Sequence, residues 1–256
     1  MKHMSRTQNN WSTVTIAGHT CYLFEPSDPS EHPDVVIYLH GLHLQELSGQ
    51  PEFGRQFDRH GLRVICPVTQ RSWWTDRICQ EFDASITAEH YVLDQVVPYI
   101  ATRWHCQPPQ IALLGTSMGG QGALRLSYKH PALFPVVAAI SPAIDYHQRL
   151  AEGTDETLPL MYGDEEEARQ DTATLHVHPL NWPRHQFFCC DPEDHLWWNS
   201  ADRLRMKLAS IGILFECDLE TSAGGHGFDY YNAMSEQTVD FIAAGLKNER
   251  LRLHTL

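Results

Sequence analysis

Apolar residues in this chain gather in short, nearly continuous blocks, separated by longer segments in which they recur every three or four positions. Val35–Leu39 (VVIYL), Leu62–Pro67 (LRVICP), Ile111–Leu114 (IALL), Val136–Ile140 (VVAAI) and Gln186–Cys190 (QFFCC) are the clearest blocks, and Leu214–Leu219 (LFECDL) is a weaker one. Runs of this length without alternation suit strands buried on both faces, the habit of parallel sheets. The intervening segments read as helices. One lies near Glu52 to His60 and stops at Gly61; another runs from Thr87 as N-cap to about Arg103, with Tyr91, Leu93, Val96, Val97 and Ile100 on one face and a bend expected at Pro98. Others are expected from Gly119 to His130, from Ser200 to about Ala209, and from Tyr230 to Leu246. Ahead of them, Val14–Ile16 and Cys21–Phe24 around Ala17-Gly18-His19 predict an antiparallel hairpin at the edge.

Alternating strands and helices from Val35 onward predict an α/β fold: a mostly parallel central sheet with helices on both faces, so that the loops following the strands share one edge. Residues 1–256 are read as a single domain. Its one irregular stretch, about 145–183, is polar and proline-interrupted with an acidic helical patch over Asp164 to Gln170, and is a candidate small insertion or cap.

The loops at that common edge carry the chemistry. Between the strand at Ile111 and the helix after Gly119 lies Gly115-Thr116-Ser117-Met118-Gly119, a G-x-S-x-G turn. Reversing from strand to helix in so few residues strains the central serine and requires small neighbours two positions to either side. Such a turn lifts the Ser117 hydroxyl above the sheet, where the following helix N-terminus aims unpaired N–H groups. After Val35–Leu39 comes His40-Gly41-Leu42-His43, in which the glycine lets the chain turn tightly and point the Leu42 N–H into the same space. Ser72-Trp73-Trp74 follows the next strand, and its indoles, with Trp198, are candidate walls of a substrate pocket. Gln186–Cys190 ends in Asp191-Pro192-Glu193-Asp194, and the last strand in Ala223-Gly224-Gly225-His226-Gly227, a glycine-rich loop that can present an imidazole without obstruction. Ser117, an acid of the Asp191 to Asp194 loop, and His226 therefore converge on one edge. A serine hydroxyl is a weak nucleophile at neutral pH and needs such a base and orienting acid. His226 would take and return its proton, and the N–H groups of Leu42 and Met118 would receive the oxyanion. His176, His178 and Trp182 are candidates for the rim.

Bulk composition removes other classes. With 19 Lys+Arg against 32 Asp+Glu, a formal charge of -13 and no basic cluster, nucleic acid and anionic membranes are poor partners. The polar opening SRTQNNWST lacks the apolar core of a leader, and no apolar run approaches the roughly 18 residues of a membrane span, so a soluble, cytoplasmic protein is expected. The seven cysteines include no C-x-x-C pair and read as buried free thiols. Histidine pairs such as His40/His43 and His176/His178 lack an H-E-x-x-H context, so no metal and no cofactor are expected.

Five motifs together resemble a known family: YLHGL at Tyr38 to Leu42, GTSMGGQGAL at Gly115 to Leu124, HPALF at His130 to Phe134, ISPAID at Ile140 to Asp145, and GGHGFDYY at Gly224 to Tyr231. They are similar to the esterase family of α/β-hydrolases that includes S-formylglutathione hydrolase (esterase D), feruloyl and acetyl-xylan esterases and mycolyltransferases. The resemblance implies the α/β-hydrolase fold and a serine esterase with its triad in the order Ser, Asp, His. It also implies that the acid stands a few residues past its strand. That favours Asp194 over Glu193 and over Asp191, which abuts the strand and is suited to bonding backbone N–H groups ahead of Pro192. Thr116 departs from the histidine usual in the glutathione-thioester members. The implied substrate is a small-molecule carboxylic ester or thioester. Acyl transfer to an alcohol through the same acyl-enzyme, and a silent binding protein on the same fold, stand as alternatives. Oligomeric state leaves no trace in the sequence.

Overall fold

The computed structural model describes residues 10–254. The polar opening of the chain up to Asn9, read above as lacking a leader's apolar core, lies outside the described residues. In chain order the strands are β1 (Trp11–Ile16), β2 (His19–Phe24), β3 (Val35–Leu39), β4 (Arg63–Pro67), β5 (Ile111–Thr116), β6 (Val136–Ile140), β7 (His185–Cys189) and β8 (Glu216–Asp218). They form one sheet in the order β1-β2-β4-β3-β5-β6-β7-β8. The β1–β2 hairpin is antiparallel and joins β4 antiparallel, and every pairing from β4 to β8 is parallel. This is the α/β-hydrolase fold, as expected from the alternation of blocks.

Side chains of the central strands divide between two cores, as the pleat requires. Val35, Ile37, Leu39, Ile111, Leu113, Val137 and Ala139 face one layer, while Val36, Tyr38, Ala112, Leu114, Val136, Ala138 and Ile140 face the other. The second layer holds α1 (Pro51–Arg59) through Phe53 and Phe57, together with the C-terminal helix through Val239, Ile242 and Leu246. The first holds α2 (Ala88–Tyr91) and α3 (Val97–Trp104), which run on through a wide turn at Val92–Val96 just before Pro98. Thr87 Oγ1 accepts the His90 N–H at 3.2 Å, the N-cap expected from sequence. The same layer holds α4 (Met118–Lys129).

Residues 145–183 contain four short helices where the sequence suggested one: α5 (His147–Glu152), α6 (Leu158–Met161), α7 (Glu165–Gln170) and α8 (Ala173–His176). They are too short and too polar for a periodic signal. Leu158, Met161, Ala168 and Ala173 pack them into the first layer, and a largely buried ionic cluster ties the segment to α4. Arg125 of α4, 1 % exposed, binds Glu89 of α2 and Asp171, the latter at 2.9 Å; Lys129 and His130 add to Glu89 at 2.8 and 2.9 Å. Tyr162 donates to Asp171 at 2.7 Å, and His176 lies 3.0 Å from it. Burial opposes ionisation of Asp171, and these partners overcome it and hold its pKa at about 2. Beyond β7 come α9 (Trp198–Ser210), then α10 (Phe228–Ala233) and α11 (Ser235–His254), a break at Met234 dividing the single helix expected there. Six of the seven cysteines are buried, Cys217 is half-buried, and all are free.

Candidate active site

Register along the sheet brings the loops together. Leu39 pairs with Gly115, Thr116 with Ile140, Ile140 with Cys189, and Cys189 with Asp218, so the loops after β3, β5, β6, β7 and β8 leave at one level. Ser117 sits in the β5–α4 turn at φ 55° and ψ −118°, a conformation that costs a non-glycine residue on the order of 1–3 kcal/mol and persists only where neighbours over-determine it. They do so here. The Ser117 N–H donates to Ile140 O at 3.0 Å, and its carbonyl accepts from Ala143 and Gln121 at 3.0 and 3.1 Å. A Cβ on Gly115 would stand 1.9 Å from Gly119 O, and one on Gly119 would stand 1.9 Å from Leu39 O. The glycine requirement read from the motif is thus a matter of backbone against backbone.

Ser117 Oγ, half-buried, lies 2.9 Å from His226 Nε2, and His226 Nδ1 lies 2.7 Å from Asp194 Oδ2. Asp194 is 1 % exposed, and its other oxygen accepts the N–H groups of Leu196 and Trp197 at 3.2 and 3.1 Å, ahead of α9. The carboxylate is therefore aimed by its own loop. Asp191 is buried too, but it does other work. It accepts N–H bonds from Glu193 (2.8 Å), Ala223 (2.6 Å) and Gly225 (2.9 Å). Burial works against its charge, and these donors outweigh burial and lower its pKa. Asp191 ties the histidine loop to the acid loop. Tyr231 Oη lies 3.1 Å from His226 Nε2, a neighbour that the sequence reading did not single out. The adjacent tyrosines of GGHGFDYY were the available signal.

On the other side of Ser117 stands the His40-Gly41 turn, close enough that a Cβ on Gly41 would lie 3.2 Å from Ser117 Cβ. His40 Nε2 accepts the Thr69 N–H at 3.1 Å, which leaves Nδ1 as the donor to Gly41 O at 2.8 Å. Burial pushes the His40 pKa down to about 4, against the opposing pull of Gly41 O, so the ring is neutral. Trp74 Nε1 donates to His40 O at 3.1 Å. Met118 opens α4, and its N–H, like any at the first helical position, has no acceptor within the helix.

The tryptophans are deeply placed. Trp73 and Trp74 are 1 % and 0 % exposed; Trp73 stacks on Tyr146 at 4.9 Å between centroids, and Trp74 packs over α4, where a Cβ on Gly122 would meet its Cβ at 2.3 Å. Trp198 donates to Leu219 O at 3.1 Å and lines a cleft of about 720 Å³ with Asp202, Arg205 and Cys217 along the β8 edge. Ser117 and His226 are not among the residues that line that cleft. His176 is engaged by Asp171, and His178 accepts the Leu180 N–H at 3.2 Å. Among the described residues no three His, Cys, Asp or Glu side chains group as a metal site, and no helix is long and apolar enough to cross a membrane.

Residues 17–204 match the family model Esterase, described as "Putative esterase". The chain belongs to this esterase family. Its members' reaction, carboxylic ester hydrolysis, is the one the convergent loops suit, and the sequence resemblance is thereby borne out. Solved structures share the fold at low identity. The S-formylglutathione hydrolase of Agrobacterium tumefaciens superposes with a TM-score of 0.76 at 17 % identity, covering 94 % of this chain and 98 % of that one. A ferulic acid esterase gives 0.71 at 15 % identity, covering 92 % and 97 %. The substrate-bound fluorophosphonate-binding serine hydrolase F (FphF) of Staphylococcus aureus gives 0.67 at 16 %, covering 91 % and 98 %. None of the curated proteins matches the chain in sequence.

Proposed function

We propose that the protein cleaves a small-molecule carboxylic ester or thioester through an acyl-enzyme on Ser117, with His226 as general base and acid and Asp194 as its orienting carboxylate. The observation that carries this reading is the unbroken relay Ser117 Oγ, His226 Nε2, His226 Nδ1, Asp194 Oδ2, with links of 2.9 and 2.7 Å. Attack of Oγ on the acyl carbon transfers the serine proton to Nε2, and Asp194 stabilises the imidazolium that forms. The N–H groups of Leu42 and Met118 receive the oxyanion, each such donor contributing about 3 kcal/mol to barrier lowering. His226 then protonates the leaving group, and water repeats the cycle on the acyl-enzyme. The chemistry uses no cofactor. Trp74 backs the His40-Gly41 turn beside Ser117 through its bond to His40 O, Trp73 packs on Tyr146, and Trp198 faces the separate cleft along the β8 edge.

A panel of p-nitrophenyl esters of increasing acyl length, with acetylated sugars and S-acyl glutathione, gives the substrate class, and Ser117→Ala tests the relay. The alanine variant should fold as the parent and lose turnover by several orders of magnitude, to roughly the 10³–10⁴-fold residual set by oxyanion donors and binding. Retention of more than a few per cent of parental hydrolysis would exclude Ser117 as the nucleophile. Inclusion of acceptor alcohols in the same assay separates acyl transfer from hydrolysis.

A further inference from the structure

His226 Nε2 has two hydroxyls within hydrogen-bond reach, Ser117 Oγ at 2.9 Å and Tyr231 Oη at 3.1 Å. A neutral imidazole nitrogen offers one in-plane lone pair, and once protonated it offers one N–H. The serine alone saturates it in either state, so the relay by itself gives no reason for the tyrosine. Tyr231 is nevertheless fixed there. Its N–H bonds Gly227 O at 3.0 Å at the start of α10, and its ring stands edge-on to His226 (5.8 Å, 89°) and to Phe228 (5.1 Å, 68°). The residue is 4 % exposed, and burial raises its phenol well above the usual range. It keeps its proton at any working pH, so its oxygen can accept one hydrogen bond while its O–H donates another.

We propose that Tyr231 is a further catalytic residue, whose hydroxyl accepts the Nε2–H of the His226 imidazolium and steers that proton to the leaving-group oxygen rather than back to Ser117. This rests on the Ser117–His226–Asp194 reading. As Oγ bonds to the acyl carbon, the serine O–H breaks, its proton passes to Nε2, and the carbonyl π pair moves onto oxygen. The new N–H then faces two oxygens. Returning the proton to Oγ reverses the step, whereas a bond to Tyr231 Oη holds it off the serine while the leaving group departs. The bond from carbon to the leaving oxygen breaks with its electron pair, that oxygen takes the proton from Nε2, and the carbonyl re-forms. Tyr231 begins and ends protonated.

The consequence depends on the leaving group. A p-nitrophenolate departs without a proton, and an alkoxide does not. Tyr231→Phe keeps the ring and its edge contacts and removes only the oxygen. With esters of one acyl group, kcat for the alkyl ester should fall about 100-fold, within the range of general acid catalysis, while that for the p-nitrophenyl ester changes by less than about 3-fold. Reaction of the same preparation with a fluorophosphonate, mapped to Ser117, reports that the serine–histidine pair is intact in the variant. Equal losses on both esters, or none on either, would overturn the proposal and leave the triad standing. Absence of a Ser117 label in the unmodified protein would instead remove the triad, and this proposal with it.

Discussion

The elbow and the 145–183 segment meet on one helix, α4, and are built by different means. At its N-terminal end the geometry is set by backbone against backbone: Gly115 against Gly119, Gly119 against Leu39, and Ser117 bonded to Ile140 and Ala143. Two turns further along the same helix, Arg125 fastens residues 145–183 with side-chain charges drawn from three separate parts of the chain, Glu89, Asp171 and its own helix. A backbone-determined turn admits few residues at each position and leaves a motif. A charge cluster can be assembled from anywhere and leaves none. The difference also separates the proposed chemistry from stability: the elbow should tolerate loss of the Ser117 hydroxyl with the fold intact, whereas the seam of the 145–183 segment should lose stability while the proposed relay is spared.

Replacing Asp194, the proposed orienting acid, gives the largest expected effect. Asp194→Asn should preserve the fold and lower kcat by on the order of 10⁴, because an amide stabilises the wrong imidazole tautomer. Asp191→Asn should act differently, since Asp191 holds Ala223 and Gly225 and touches no reacting atom: a lower melting temperature with a much smaller fall in kcat. Steady-state kinetics and thermal melts on both variants measure this contrast, and a collapse of kcat confined to Asp191→Asn would reverse the assignment.

Where the 145–183 segment meets α4, Arg125→Met leaves half-buried Asp171 without its guanidinium and buried Glu89 with only Lys129 and His130. Breaking a buried pair by removing one partner costs about 3–5 kcal/mol, so denaturant unfolding should show a loss of that size. The kcat measured well below the new transition should stay within a few-fold. A variant that keeps its stability but loses turnover would break the division between the two ends of α4.

The smallest effect is at His40. Its folded pKa of about 4 lies below the ordinary 6.5 because the ring is buried, so the unfolded chain binds the proton first. Stability from this group is complete above pH 6.5, falls as pH drops from 6.5 toward 4, and is flat below. The loss by pH 5 is about 2 kcal/mol. Unfolding free energies at pH 7 and pH 5 should differ less in His40→Asn than in the parent; an unchanged difference would mean that other groups carry it.

Legibility in the sequence followed the same division. The strands from Val35 to Cys189 were readable because both-face burial leaves continuous apolar blocks, and the elbow, the His40-Gly41 turn and the Gly224-Gly225-His226 loop because tight turns demand glycine. β8 shrank to Glu216–Asp218, since an edge strand is specified by little burial. The helices of the 145–183 segment were mostly invisible, being four to six residues long with few apolar positions each. Trp73 and Trp74 could be placed near the site edge but not oriented, because the left-handed backbone at both (φ 54° and 55°) that turns them inward has no glycine to announce it. Tyr231 was passed over because an aromatic at a helix start reads as packing, and only the folded loop brings its hydroxyl to Nε2.

The central claim is that Ser117 is the nucleophile activated by His226. Incubation with a fluorophosphonate, followed by intact mass and peptide mapping, tests it most directly. A single adduct on the peptide containing Ser117, absent from Ser117→Ala and strongly slowed in His226→Ala, is the predicted result. An adduct on any other residue, or labelling that proceeds at the parental rate without His226, would contradict it.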